Sequence, residues 1–158
     1  MENKKQPAQP INRTAVKFEG PVNGGRYKGP MMDPEGPMSK TLRVLVVDDQ
    51  KNMRTIMRMI VKEMGHGVET AEDGKKALEL YRKGGIDLVI TDFKMPYMDG
   101  LELLKAVKSE NGKVPVIVVT SLAEAMDTSC FMEAGASQVL GKPFDSAEIR
   151  KAIDTAIN

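Results

Sequence analysis

Tryptophan is absent from this 158-residue sequence, and cysteine and histidine occur once each. A lone thiol, Cys130, excludes an internal disulfide framework, and a reducing compartment suits such a chain best. A single histidine, His66, leaves no His–Cys cluster for zinc. It stands between Gly65 and Gly67, which predicts an exposed turn residue and not a phosphorelay histidine on a long helix. An excess of one charge is also missing: 23 Lys and Arg face 22 Asp and Glu, a formal net charge of +1. That balance gives no electrostatic argument for nucleic acid as a partner. No apolar run approaches the roughly 18 residues that span a bilayer. The opening MENKKQPAQP is basic but has no apolar segment behind it, so it is no secretory signal. These absences together predict a soluble, cytoplasmic protein without membrane insertion.

What is present divides into two regions. Residues 1–40 hold six of the nine prolines and five of the fourteen glycines. Such a stretch buries too little apolar surface to offset chain entropy. Residues 1–40 are therefore predicted to be a disordered tail, and residues 41–158 a folded domain. Within the tail, TAVKFEGPVNGGRYKG alternates apolar and charged residues around an Asn-Gly turn signal, enough for a fragile hairpin at most.

From Thr41 onward short β-branched runs recur: LRVLVV, GVETA, IDLVIT, VPVIVV and SQVLG. Helical stretches lie between and after them. From Lys51 to Met64, three-to-four spacing puts Met53, Ile56, Met57, Ile60, Val61 and Met64 on one face. Gly65 stops that helix. Asp73 and Asp99 stand where N-caps belong, before the second and third helices. DSAE, from Asp145 to Glu148, resembles a capping box for a last helix with Ile149, Ala152, Ile153, Ala156 and Ile157 on its apolar face. Alternating strands and helices predict a parallel sheet covered on both faces. Runs one, three and four are apolar nearly throughout, as the centre of such a sheet requires.

The polar chemistry gathers at the carboxyl ends of these strands, where open parallel sheets bind ligands. Strand one ends in Asp48 and Asp49, strand three in Asp92, strand four in Thr120 and Ser121, and strand five leads to Lys142. Converging carboxylates repel one another unless a cation lies among them. Mg²⁺ suits a site of few carboxylates, retained water and a phosphate oxygen. One carboxylate can then attack phosphorus, while Lys142 holds a phosphoryl oxygen as a point charge and the Thr120 hydroxyl holds another. An acyl phosphate is labile and reversible, so the set reads as a switch better than as a metabolic enzyme. Asp49 alone also has a plainer reading as a helix N-cap.

VLVVDD, DLVITDFKMPYMDG, VIVVTS and GASQVLGKPF, in that order over residues 42–157, resemble the response-regulator receiver domain of two-component signalling. The resemblance implies a flavodoxin-like α/β fold with strand order 2-1-3-4-5. It implies Asp92 as phosphoacceptor and Asp48, Asp49 and Asp92 as Mg²⁺ ligands, with the Lys94 backbone carbonyl beside them. Thr120 and Lys142 match the family's switch hydroxyl and lysine, with Ser121 offering its backbone N–H to the phosphoryl group. A cis bond before Pro143 is also implied. A histidine kinase is the implied donor. Partners on the output side would be a motor component, a kinase or a second copy of the chain, and chemotaxis or motility is one setting. The resemblance predicts a signalling protein, not an enzyme beyond its own phosphorylation and dephosphorylation. Two alternatives remain at this point: a phosphate sink or phosphorelay intermediate without output, and an Mg²⁺-dependent Asp-nucleophile phosphatase. The latter wants a carboxylate two residues after the nucleophile, where Lys94 stands.

One position departs from the family. Val139 occupies a place often held by Tyr or Phe, and valine has little reach and a stiff χ1. Met126 or another side chain of the fourth helix is expected to fill that gap. Lys94 and Leu122 flank the path of water to an acyl phosphate, and neither is a base at neutral pH, so slow self-hydrolysis is expected. Cys130 is predicted to be a packed thiol, and Phe93 and Phe131 packing residues. The last helix runs to the C-terminus, which predicts output through a changed surface and not through an attached domain.

Overall fold

The computed structural model describes residues 40–121 and 128–158. The tail expected over residues 1–40, all but its last residue, and the roles expected of Leu122 and Met126, lie outside those residues. Within them five strands alternate with five helices. In chain order they are β1 (Arg43–Val47), α1 (Lys51–Glu63), β2 (Gly67–Ala71), α2 (Gly74–Arg82) and β3 (Leu88–Asp92). They continue with α3 (Gly100–Glu110), β4 (Val116–Thr120), α4 (Ser129–Glu133), β5 (Gln138–Gly141) and α5 (Ser146–Ile157). All pairings are parallel and the order is β2-β1-β3-β4-β5, as the resemblance implied.

Strand alternation divides the core between the two faces of the sheet. Leu45, Val47, Val89, Val116 and Val118 point to one face, where α2 and α3 and Phe131 of α4 cover them. Val44, Val46, Leu88, Ile90, Ile117 and Val119 point to the other, against Met57, Ile60 and Val61 of α1 and Ile149, Ala152 and Ile153 of α5. Because both faces are buried, β1, β3 and β4 carry almost no polar residue until their last positions.

Helix ends follow the sequence signals closely. Asp73, Asp99 and Asp145 each accept a hydrogen bond from the backbone N–H three residues on, at 2.8 Å in every instance. Glu148 returns a bond from the Asp145 N–H, completing the capping box. At the end of α1, Gly65 takes φ +88°, its N–H reaches Lys62 O and the His66 N–H reaches Val61 O. That is a Schellman stop, which a glycine makes without steric penalty.

Four expectations need correction. Ile56 is 47% exposed: it lies at the margin of the α1 stripe, one residue before Met57, and turns away from the sheet. Ile157, the last residue of α5, is 39% exposed and belongs to neither core cluster of the described residues. Cys130 is exposed, because α4 turns Phe131, not its neighbour, into the core. His66 is half-buried and not an open turn residue: its Nδ1 accepts the Leu42 N–H at 3.3 Å, tying the α1–β2 turn to the start of β1.

The tightest backbone approach is at Gly100, the first residue of α3. A Cβ there would lie 2.1 Å from Asp92 O, and the Gly100 N–H already donates to Phe93 O at 2.7 Å. Gly100→Ala is expected to lower stability by about 1–3 kcal/mol through overpacking against backbone. Gly67→Ala meets only ordinary contacts at 3.7 and 3.9 Å and should leave stability unchanged or slightly raised. Urea unfolding of both variants checks the contrast; equal losses would contradict it.

Candidate functional site

The register of the sheet builds the site. Val47 pairs with Thr91, so the next residues, Asp48 and Asp92, emerge side by side at the carboxyl ends of β1 and β3. The strand order reverses between these two strands, which opens a crevice at their ends. Thr120 pairs with Gly141, and the Lys142 N–H donates to Thr120 O at 3.0 Å, so β5 delivers Lys142 to the same edge. The peptide bond between Lys142 and Pro143 is cis, as expected.

Asp48 is fully buried and Asp92 only 7% exposed. Each carboxylate is held the same way. Asp48 Oδ1 accepts the Gln50 N–H and Asp92 Oδ1 accepts the Phe93 N–H, both at 2.8 Å. Their second oxygens share one ammonium: Lys142 Nζ lies 3.1 Å from Asp48 Oδ2 and 3.4 Å from Asp92 Oδ2. Burial first, and then the negative charge of Asp48, push the Asp92 carboxyl above its ordinary value; Lys142 and the Phe93 N–H pull the other way.

Asp49 completes an acidic trio. Oxygens of Asp48, Asp49 and Asp92 all lie within 4.8 Å of one another, and Asp49 faces solvent. The trio fits Mg²⁺. Around an octahedral ion with bonds of about 2.1 Å, ligand oxygens lie roughly 3 to 4 Å apart. The exposed side at Asp49 leaves room for retained water. Asp49 is not the N-cap of α1: Gln50 holds that position, and no side chain caps it.

The remaining predicted residues fall as follows. Thr120 is buried at the end of β4 and Ser121 is exposed beyond it. Lys94 is exposed, with its ammonium 5.2 Å from the centroid of the Phe93 ring. Val139, on β5, packs half-buried against the cluster that contains Phe131, as Phe93 does. Phe93 and Phe131 are packing residues, as expected, and they meet edge to face.

Sequence reasoning missed Arg54. Its guanidinium donates to the Asp48 backbone carbonyl at 2.7 Å, anchoring the acidic turn from α1. Its position six residues after Asp48, on the helix that follows, was the available signal. It also missed Tyr97, which holds φ +71° in the β3–α3 loop and is 85% exposed. Such a backbone costs a non-glycine residue about 1 kcal/mol or more.

A family model for the response regulator receiver domain matches residues 44–154, the span that carries this whole arrangement. The chain belongs to that family. The receiver is 32% identical over 123 residues to chemotaxis protein CheY-3 of Vibrio cholerae, covering 76% of this chain and 95% of that one. It is 38% identical over 123 residues to a gliding motility regulatory protein of Myxococcus xanthus, of whose length it spans 16%. Among solved structures, CheY4 of Vibrio cholerae superposes with a TM-score of 0.70 at 31% identity, covering 74% of this chain and 99% of that one. A receiver domain from Clostridium thermocellum gives the same TM-score of 0.70 at 29% identity, covering 74% and 94%. Receivers are signalling proteins that pair with histidine kinases, and an acidic trio of this kind is typical of their Mg²⁺ site. No helix among the described residues is long and apolar enough to cross a membrane.

Two outcomes follow from the electrostatics. With its folded pKa raised, Asp92 binds more protons in the folded than in the unfolded state as pH climbs from its ordinary 3.8 through the folded value. Over that window ionisation of Asp92 subtracts stability, and the loss persists at neutral pH. Asp92→Asn is expected to raise the unfolding midpoint at pH 7 and to flatten the fall in stability as pH rises from 3.8. Thermal scans across pH would show no flattening if the charge were well compensated. Mg²⁺ should reverse the penalty, adding about 2.7 kcal/mol at a hundred times its Kd. Asp49→Asn should need about tenfold more Mg²⁺ for the same gain, about 1.4 kcal/mol of lost binding. Equal Mg²⁺ titrations of wild type and variant would remove Asp49 from the site.

Proposed function

We propose that this receiver accepts a phosphoryl group on Asp92 from a phosphohistidine of a histidine kinase, in an Mg²⁺-dependent step, and signals through the surface change that follows. The observation that carries this reading is the trio of carboxylates within 4.8 Å, two of them held by one lysine. Asp48, Asp49 and Asp92, with the Lys94 backbone carbonyl, are the proposed metal ligands. Bound Mg²⁺ would neutralise charge on the incoming phosphoryl oxygens.

In the transfer, an oxygen of Asp92 forms the new P–O bond as the P–N bond of the donor breaks. The electron pair of that bond returns to the imidazole ring. The Phe93 N–H steadies the Asp92 carboxylate in line, since it already donates to Oδ1. Lys142 exchanges its carboxylate contacts for a phosphoryl oxygen, and Thr120 and the Ser121 N–H hold others. Hydrolysis reverses the state: water attacks phosphorus and the Asp92 carboxylate leaves with the electron pair. Lys94 and Leu122 supply no base for that water, which favours slow loss.

Output passes to a partner that distinguishes two arrangements of one surface. The names of the relatives, a chemotaxis protein and a gliding motility regulator, favour a motor component or a kinase of a motility pathway as that partner.

Labelling with acetyl phosphate tests the proposal. Wild type should take label only with Mg²⁺ and keep it for minutes or longer, and Asp92→Asn should take none. Label that persists in the variant sinks the assignment of Asp92; decay within seconds sinks the role given to Lys94 and Leu122.

A further inference from the structure

Phe93 follows the proposed phosphoacceptor directly, and its surroundings are unusual for a residue at a strand end. Its N–H donates to Asp92 Oδ1 at 2.8 Å, so backbone movement at Asp92 is movement of Phe93. The Lys94 ammonium stands 5.2 Å from the centre of its ring. The Phe131 ring meets it edge to face, with centroids 4.9 Å apart and planes at 85°. Phe131 is 2% exposed and is the only buried residue of α4. Among the described residues of this helix Phe131 is the one that enters the core, and its ring rests on the neighbour of Asp92. Val139 of β5 packs on the same cluster.

From this geometry we propose that Phe131 is a positioning residue for the phosphorylation site, acting through Phe93, and that the aromatic pair couples Asp92 to α4. The proposal rests on the role given to Asp92 above. The pair coexists with the hydrogen bonds of the free carboxylate: Oδ1 is held by Phe93 and Oδ2 by Lys142. It therefore stabilises the arrangement in which Asp92 is unmodified. A phosphoryl group on Asp92 places new negative charge beside the Phe93 N–H and draws the Lys94 ammonium off the ring, which removes one partner of that ring. The coupling is reciprocal, so weakening the pair must raise affinity at Asp92. Aromatic pairs of this geometry correspond to roughly two- to tenfold in an equilibrium constant.

The test is a titration of the full chain with Mg²⁺ and beryllofluoride, a phosphoryl mimic, followed by amide NMR. In wild type, signals of residues 48, 49 and 92–94 and those of 128–134 should respond together. In Phe131→Leu the mimic should bind about two- to tenfold more tightly, while the response of residues 128–134 falls well below that of wild type. Phe93→Leu should do the same, and the double variant should add little to either, since both remove one contact. Phe93→Leu alone carries the test if Phe131→Leu fails to fold. Unchanged or weaker affinity, a wild-type α4 response, or additive effects of the two substitutions overturn the proposal alone. No response at residues 48, 49 and 92 of the wild type overturns the assignment of the site, and the coupling with it.

Discussion

Two buried carboxylates, Asp48 and Asp92, lie at adjacent strand ends, and one ammonium reaches both. That three-charge contact constrains everything around it. Burying ions is expensive, and removing one partner from such a group leaves an uncompensated charge. Here the group remains one negative charge in excess, because one lysine faces two carboxylates, and the exposed Asp49 adds another. Burial first, and then that imbalance, raise the proton affinity of Asp92. A fold built for stability alone would replace these groups with apolar ones. Their retention at a sheet edge, beside open solvent, suits a site that takes up cations and exchanges partners.

The scaffold holds the charges by backbone as much as by side chain. Both buried carboxylates accept a following N–H, and Arg54 pins the carbonyl of Asp48. Gly100 lets α3 start in contact with the carbonyl of Asp92, and Asp99 caps that helix in the same turn. The Asp92 strand end is thus clamped from the core side, while the loop ahead of it runs through an exposed, left-handed Tyr97.

The two faces of the sheet are unequal in how they meet this site. The face under α1 and α5 is filled by aliphatic side chains and by Met57. The face under α2, α3 and α4 includes the Phe93–Phe131 contact, the one ring pair among the described residues. Aliphatic packing is tolerant of small shifts, whereas an edge-to-face pair has a defined geometry to lose.

Much of this architecture was legible in the residues. Short β-branched runs marked the strands, three-to-four spacing marked the helices, and Asp73, Asp99, Asp145 and Gly65 marked their ends, because caps are decided within a few residues of chain. The polar residues of the site were legible too, since they stand at strand ends where the apolar pattern breaks. Contacts between segments were not. Lys142 reaches Asp48 across 94 positions, a pairing that depends on the register of β5 against β4 and of β1 against β3. The exposure of Ile56, Cys130 and Ile157, the partial burial of His66 and the meeting of Phe93 with Phe131 likewise depend on which neighbour covers each face. By itself the sequence determined the elements, their order and the chemical groups at the sheet edge, through local periodicity and capping. Only tertiary structure decided which charges share an ammonium and which rings touch, because register and layer packing join residues that the local pattern treats as independent.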